Sequence, residues 1–354
     1  MKRKTTIVLA MAMTAMMAFA LFVGTSCSSG ETGAGANANA GGTTGAGSQG
    51  EAPIVQAGDA VVFSMHCVDA PTSPVVKGGK KIAQLVSEAT EGRVSIDVVS
   101  GSQASERELL QSVLDGKLDI AVCSHSALVK QIPQMKILNQ PFLWETSEDA
   151  HVAIDGTLGA LIKEQAQKKG FHVIGIEESG FRNVFSTKPI RSLDDFKGLT
   201  IRTAKNTYFK AAFESFGAEP VTMASDEVID AFGEGKIDAC EDSTIGYLTS
   251  RYYRPARNIT YTNHAITLYM LCMSDEAWNR IPAELREPFS QAIQEGVEWE
   301  RTAVVDAEND AHDELRGLGV YFNNIDIVSL RKQYFAKAAE EGFKFDLEWQ
   351  AAIG

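Results

Sequence analysis

Two stretches of the chain are built on one pattern: LLQSVLDGKLDIAVCS at residues 109 to 124 and VIDAFGEGKIDACEDS at residues 228 to 243. Each reads as a helix ending on Gly-Lys (Gly116 and Lys117; Gly235 and Lys236), then an aliphatic residue, an aspartate and a strand. A glycine just past a helix supplies the left-handed backbone that ends it. A repeated unit of this kind predicts two lobes of related α/β design. The flanking chain agrees. AVVFSMHCV reads as an apolar strand, Ser73 and Pro74 as a helix cap and first helical residue, RVSIDVVS as an alternating strand, and SERELLQSVLD as a capped helix before LDIAVCS. Strand–helix alternation predicts a mostly parallel sheet in each lobe, covered by helices on both faces.

The second lobe continues through SLDDFKGLTIRT, a helix over Tyr208 to Phe216 and the strand EPVTM. Further on, Pro282 and Pro288 mark a turn and the start of a long helical tract. Leu285, Phe289, Ile293, Val297, Thr302, Val305 and Leu315 or Leu318 form its expected apolar stripe. Such a helix is too long for one small lobe and is expected to pack across both. VSLRKQYFAKAAEEGF is the expected last helix.

The N-terminus has a different character. MKRK precedes an apolar run from Ile7 to Val23 broken only by Thr14, which is the anatomy of an export signal over residues 1–26. A run this short also sits near the lower limit for a membrane span, so an uncleaved anchor is the other reading. VGTSCSS follows and resembles a bacterial lipobox, with Cys27 as the lipidated residue and Gly24 where Leu or Val is usual. Residues 27–57 are then Gly, Ala, Ser, Thr and Asn with almost nothing bulky to bury, the composition of a flexible tether. The chain is therefore expected outside the cell, lipid-anchored to the outer face of the cytoplasmic membrane.

Removing residues 1–26 takes away Lys2, Arg3 and Lys4 and no acid, so the remainder is more acidic than the whole chain's −13. That charge argues against a nucleic-acid partner. Besides Cys27 the cysteines are Cys67, Cys123, Cys240 and Cys272, with no C-x-x-C pair and no metal-site spacing. They are either buried free thiols or, in an exported protein, disulfides, with Cys67–Cys123 the first pair to consider. No Walker sequence, G-x-S-x-G elbow, H-E-x-x-H or G-x-G-x-x-G occurs, and no cofactor is expected. His66 and Cys67 are neighbours on a strand and point to opposite faces, which works against a dyad.

The basic residues inside apolar runs carry more. Arg182 lies in ESGFRNVFSTKPI and Arg202 in KGLTIRTAKN. A planar guanidinium offers two parallel hydrogen bonds to a carboxylate, so two arginines on neighbouring strands suit an organic anion. An internal salt bridge to Glu241 or Asp242 fits the same residues, and both readings stand.

From about residue 60 to 335 the chain resembles the solute-binding proteins of TRAP (tripartite ATP-independent periplasmic) transporters, of DctP type. The signatures are GSQASERELLQSVLDGKLDIAV, NQPFLWETSEDAHVAIDG, GFRNVFSTKPIRSLDDFKGLTIRT, FGAEPVTMASDEVIDAFGEGKIDACEDS and TNHAITLYMLCMSDEAWNRIPAELRE, in family order. The resemblance implies a two-lobed periplasmic-binding-protein (Venus-flytrap) fold. Lobe I spans 58–179 with about 268–310, and lobe II 180–267 with about 311–345. It implies a binding protein rather than an enzyme, delivering a small organic acid to the membrane subunits of a TRAP permease. By the same resemblance Arg202 binds the ligand carboxylate and Arg182 adds a contact. Asp242 stands where the family has an asparagine, and a carboxylate there repels a ligand carboxylate unless it pairs with an arginine or takes a hydroxyl or ammonium. His66 and Ser124 or His125 face the ligand from lobe I, each with a strand-end or capping role as the alternative. Phe181, Tyr208, Trp144 and Tyr269 are aromatic walls or core residues. An ABC-type or receptor-coupled protein of the same fold is the alternative, and then an α/β enzyme using His66, Ser124 and Asp242.

Overall fold

The computed structural model describes residues 60–354. The export signal over 1–26, Cys27 and the tether over 27–57 lie outside the described residues. The strands are β1 (Val61–His66), β2 (Val94–Val99), β3 (Ile120–Ser124), β4 (Phe171–Ser186), β5 (Thr200–Thr203), β6 (Glu219–Thr222), β7 (Ala239–Ser243), β8 (Asn258–Ser274) and β9 (Tyr321–Asn324). The helices are α1 (Pro74–Ala89), α2 (Glu106–Leu114), α3 (His125–Leu128), α4 (Ser147–Asp155), α5 (Thr157–Gln167), α6 (Thr207–Ser215), α7 (Val228–Gly233), α8 (Thr244–Thr249), α9 (Asp275–Arg280), α10 (Arg286–Gly317), α11 (Ile327–Glu340) and α12 (Leu347–Ile353). Ser73 caps α1 by accepting from the Val76 N–H, and Ser105 with Glu108 makes a capping box on α2.

All nine strands belong to one sheet, in the order β2-β1-β3-β8-β4-β7-β5-β6 with β9 beside β8. β1 runs parallel to β2 and β3, and β5 parallel to β6 and β7, which is the parallel arrangement the strand–helix alternation predicts. β4 and β8 are much longer and antiparallel to each other, with a register shift between Glu178 and Phe181. The first half of the molecule pairs through β3 onto residues 269–273 of β8, and the second through β7 onto residues 182–186 of β4. The two lobes therefore share one sheet rather than holding one each. This pair of strands runs from lobe to lobe, with its register broken at Val173/Gly175, Glu178/Phe181 and Arg182/Val184, the last leaving residues 261–264 of β8 without a register partner on β4.

Each half buries apolar residues on both faces of its part of the sheet. In the first half, Ala121 and Cys123 face a cluster with α2, α4 and α5, and Ile120 and Val122 face one with α1 and α10. In the second half, Ile201 packs with Phe209, Phe213 and Tyr334, and Cys240 with Phe232, Tyr247 and Leu315. Phe289, Ile293 and Val297 of α10 lie in the first half and Leu315 in the second, so one helix serves both cores as expected.

Several expectations change in detail. Past Val297 the inward stripe of α10 runs through Glu300, Val304, Ala311 and Leu315, while Val305 is 54% and Leu318 39% exposed. A 3.6-residue period continued from Val297 falls on 300 and 304, and the polar Glu300 hid that register from a search for apolar residues. A further helix, α12, sets Trp349 into the first core. Cys67, Cys123, Cys240 and Cys272 are all free and buried. Cys67 and Cys123 lie in the clusters on opposite faces of the sheet, so they do not approach each other as a pair.

Candidate ligand-binding cleft

Two cavities, of about 290 Å³ and about 280 Å³, open where the halves meet, and both are walled by Arg182 and Tyr269. The first is also lined by Glu106, Ser124, His125 and Asn139 from one half and by Lys205, Asn206 and Phe209 from the other. The second takes Asp69, Ser73 and the start of α1 from one half and Asp242, Ser243 and the start of α8 from the other. Ligand sites of two-lobed α/β proteins fall in such a crevice.

Arg182 is fixed before any ligand arrives. It sits on β4 opposite Ser243 of β7, so the next β7 residues lie beside its side chain. Its Nε donates to Glu241 Oε2 at 2.5 Å, one terminal nitrogen donates to the Glu241 carbonyl at 3.0 Å, and the other lies 3.3 Å from Asp242 Oδ1. Glu241 is fully buried, accepts the Ala204 N–H at 2.8 Å and has His264 Nε2 at 3.4 Å. Burial works to raise the Glu241 pKa, but Arg182 and then His264 outweigh it and bring it down to about 2. Burial likewise opposes the charge on Arg182, and Glu241 and Asp242 reverse that and hold the guanidinium protonated. The internal salt bridge envisaged from sequence thus exists at Arg182, while the same side chain keeps an edge on both cavities.

Arg202 behaves differently. It is 7% exposed and donates through Nε and one terminal nitrogen to the Met223 carbonyl, at 3.2 and 3.1 Å. Among the described residues no carboxylate lies within 4.0 Å of it, so Asp242 is not its partner. It does not line either cavity; it stands behind the loop from Met223 to Ser225, and Ser225 is on the wall of the second.

The other expected residues divide. Ser124 and His125 line the first cavity. The Ser124 hydroxyl donates to Glu106 Oε2 at 2.5 Å. His125 is buried, with Nδ1 3.2 Å from the Leu268 N–H, and burial lowers its pKa to about 4, leaving a neutral ring. His66 is off both walls: β1 is still paired with β2 at that residue, and the chain reaches the cleft only at Asp69. Tyr208 turns away onto Phe343 and Phe345, and Phe209, the next residue round α6, takes the wall. Phe181 packs with Leu138, Leu143 and Trp144 in a crevice without room for a ligand.

Sequence reasoning missed Asp69, Glu106, Asn139, Lys205 and Asn206. Glu106 reads as an ordinary first-turn acid of α2, yet burial raises its pKa, against the opposing bond from Ser124. Asp69 is raised in the same way, first by burial and with Asp242 adding to it, while the Cys67 thiol donates to it at 3.2 Å. Asn206 caps α6 and reaches across the cleft to the Asn139 carbonyl at 3.1 Å. Only the second of those roles is hidden from sequence.

Known proteins are similar to this chain in sequence and fold. A solved TRAP periplasmic solute-binding protein from Polaromonas sp., bound to D-erythronate, superposes with a TM-score of 0.74 at 26% identity, covering 83% of this chain and 98% of that one. A solute-binding protein of Verminephrobacter eiseniae is 26% identical over 273 residues, 76% of this chain and 80% of its own length. The 2,3-diketo-L-gulonate-binding periplasmic protein of Escherichia coli is 26% identical over 243 residues, 68% of this chain and 74% of its own. The family model for bacterial extracellular solute-binding proteins, family 7, matches residues 65–343. The family is one of transport binding proteins rather than enzymes, and the chain belongs to it, the bacterial extracellular solute-binding proteins of family 7.

Proposed function

We propose that the cleft captures a small organic acid and presents it to the membrane subunits of a TRAP permease, with the protein held at the outer face of the membrane by a lipid on Cys27. The observation that carries this is Arg182, fixed by Glu241 and exposed to both cavities. A guanidinium held in place by one carboxylate loses little freedom on receiving another, so its free edge is set for a ligand. Arg202 supports the same reading. A buried cation without an anionic partner in the described chain is costly, and a ligand carboxylate that reaches it as the lobes close offsets that cost. Lobe I (58–179 with 268–310) and lobe II (180–267 with 311–345) then close about β4, β8 and α10, and the ligand shifts the population toward the closed form. The relatives named for 2,3-diketo-L-gulonate and solved with D-erythronate carry acids of this size.

The test is a thermal-shift screen of keto acids, sugar acids, dicarboxylates and amino acids on the purified protein, repeated with Arg202→Ala. The expected result is stabilisation by one chemical class of acid. In the variant, affinity falls at least about tenfold with the fold intact, the loss of one charged hydrogen bond or more. Equal binding by the variant, or stabilisation by neutral solutes alone, overturns the reading.

A further inference from the structure

The walls of the cleft are polarised by charge. Every formally charged side chain that the first half gives to the two cavities is an acid, Glu106 in one and Asp69 in the other. The basic side chains, Arg182 and Lys205, both come from the second half. Arg182 is already balanced by Glu241 and Asp242. Among the described residues neither Asp69 nor Glu106 has an ion-pair partner; their oxygens are met by the Cys67 thiol and the Ser124 hydroxyl. Tyr269 stands between the two cavities, and after burial itself the nearby charges of Asp69 and Glu106 do most to suppress ionisation of its phenol.

An acid with no positive group would enter beside two carboxylates that have no cation, and closing the lobes would strip water from all three charges. Desolvating unpaired charge is among the costliest things a site can do. We propose that the ligand is a carboxylic acid that also carries a protonated amine or amidine, with its carboxylate toward Arg182 and its cationic nitrogen received by Asp69 and Glu106 beside the Tyr269 ring. This rests on the carboxylate reading above. The arrangement needs no extra proton. Two acceptor carboxylates match the several N–H donors of the cation, and the aromatic face beside them adds a cation–π contribution.

The test is calorimetric titration of the purified protein with matched acids that differ only by hydroxyl or amine: D-gluconate with 2-amino-2-deoxy-D-gluconate, malate with aspartate, and 4-hydroxybutyrate with 4-aminobutyrate. The amine member of a binding pair is expected to bind at least about tenfold tighter, the scale of one charge-assisted contact. Asp69→Asn and Glu106→Gln should each erase most of that preference from both sides, weakening the amine and tightening the hydroxy acid, which no longer enters beside an unpaired carboxylate. Because the contact needs ionised carboxylates, the preference should also weaken as pH falls through their raised range. Hydroxy acids binding as tightly as their amines would overturn the inference and leave the carboxylate reading in place. Amines without a carboxylate binding equally well would overturn the carboxylate reading instead, and no binding by any of these acids would count against both.

Discussion

The repeated unit lets the two halves be compared residue by residue. In the first copy Asp119 Oδ2 accepts the Ser64 N–H at 2.9 Å and ties the unit to β1; in the second, Asp238 Oδ2 accepts the Thr200 N–H at 3.0 Å and ties it to β5. Gly116 and Gly235 end the preceding helices at φ of +68° and +67°. Then the copies part. Val122 and Cys123 are apolar and buried, whereas the matching Glu241 and Asp242 hold Arg182. The shared residues build a strand that follows a helix and joins a parallel neighbour. The residues that differ put charge on one half of the cleft, so scaffold and site are written at separate positions of the same segment.

Exchanging those positions is the severest way to break the comparison. Glu241→Val, which writes the first copy into the second, leaves the buried Arg182 with only the residue-241 carbonyl and the long Asp242 contact and should destabilise by roughly 3 kcal/mol or more in urea unfolding. The mirror change, Val122→Glu, buries an unpaired acid and should be about as damaging. A loss under about 1 kcal/mol for Glu241→Val would mean that the Arg182 pair is not what separates the halves.

The pH dependence of stability sharpens the same contrast. Glu241 is ionised in the fold down to about pH 2 against an ordinary 4.5, so its contribution is complete above 4.5 and lost as pH falls toward 2, about 3 kcal/mol in all. Glu308, raised to about 7 by burial with Glu178 adding to it, works the other way. It burdens the fold above pH 7, and that burden is relieved as pH falls from 7 to 4.5. Glu177 and Glu300, raised well above the ordinary range by burial and then by neighbouring carboxylates, act in the same sense. Stability should therefore rise on mild acidification and fall below about pH 4.5. Glu241→Gln should flatten the acid limb and Glu308→Gln the upper one, as followed by melting temperature against pH.

Smaller effects come from the residues the copies share. Asp119→Ala and Asp238→Ala should each cost about 1–2 kcal/mol by loss of a charged bond to a strand N–H. Asp119 should cost the more, because the Ser64 hydroxyl at 3.0 Å and Arg280 also use it. Asp242→Asn should change stability least, within about 0.5 kcal/mol, since its side chain is 25% exposed and its pair with Arg182 is long. Its effect belongs in ligand affinity.

Much of the scaffold was legible because it depends on local signals: caps at Ser73 and Ser105, helix-ending glycines and alternating strands. The single sheet was not, because β4 and β8 look like ordinary strands until their length and mutual pairing are seen. In the cleft, Arg182 and Asp242 stood out as charges beside strands, but which acid holds which arginine depends on strand order and side-chain reach. That put Arg182, rather than Arg202, between the cavities. Asp69 and Glu106 gave no local sign, since an acid after a strand or in the first turn of a helix is commonplace.

The central claim is that Arg182, fixed by Glu241, meets the ligand's carboxylate. A crystal structure of the protein with the tightest acid from the screen tests it most directly. The expected result is a ligand carboxylate oxygen within about 3.2 Å of an Arg182 terminal nitrogen, with the Arg182–Glu241 pair intact. A bound acid whose carboxylate does not touch Arg182 would contradict the account.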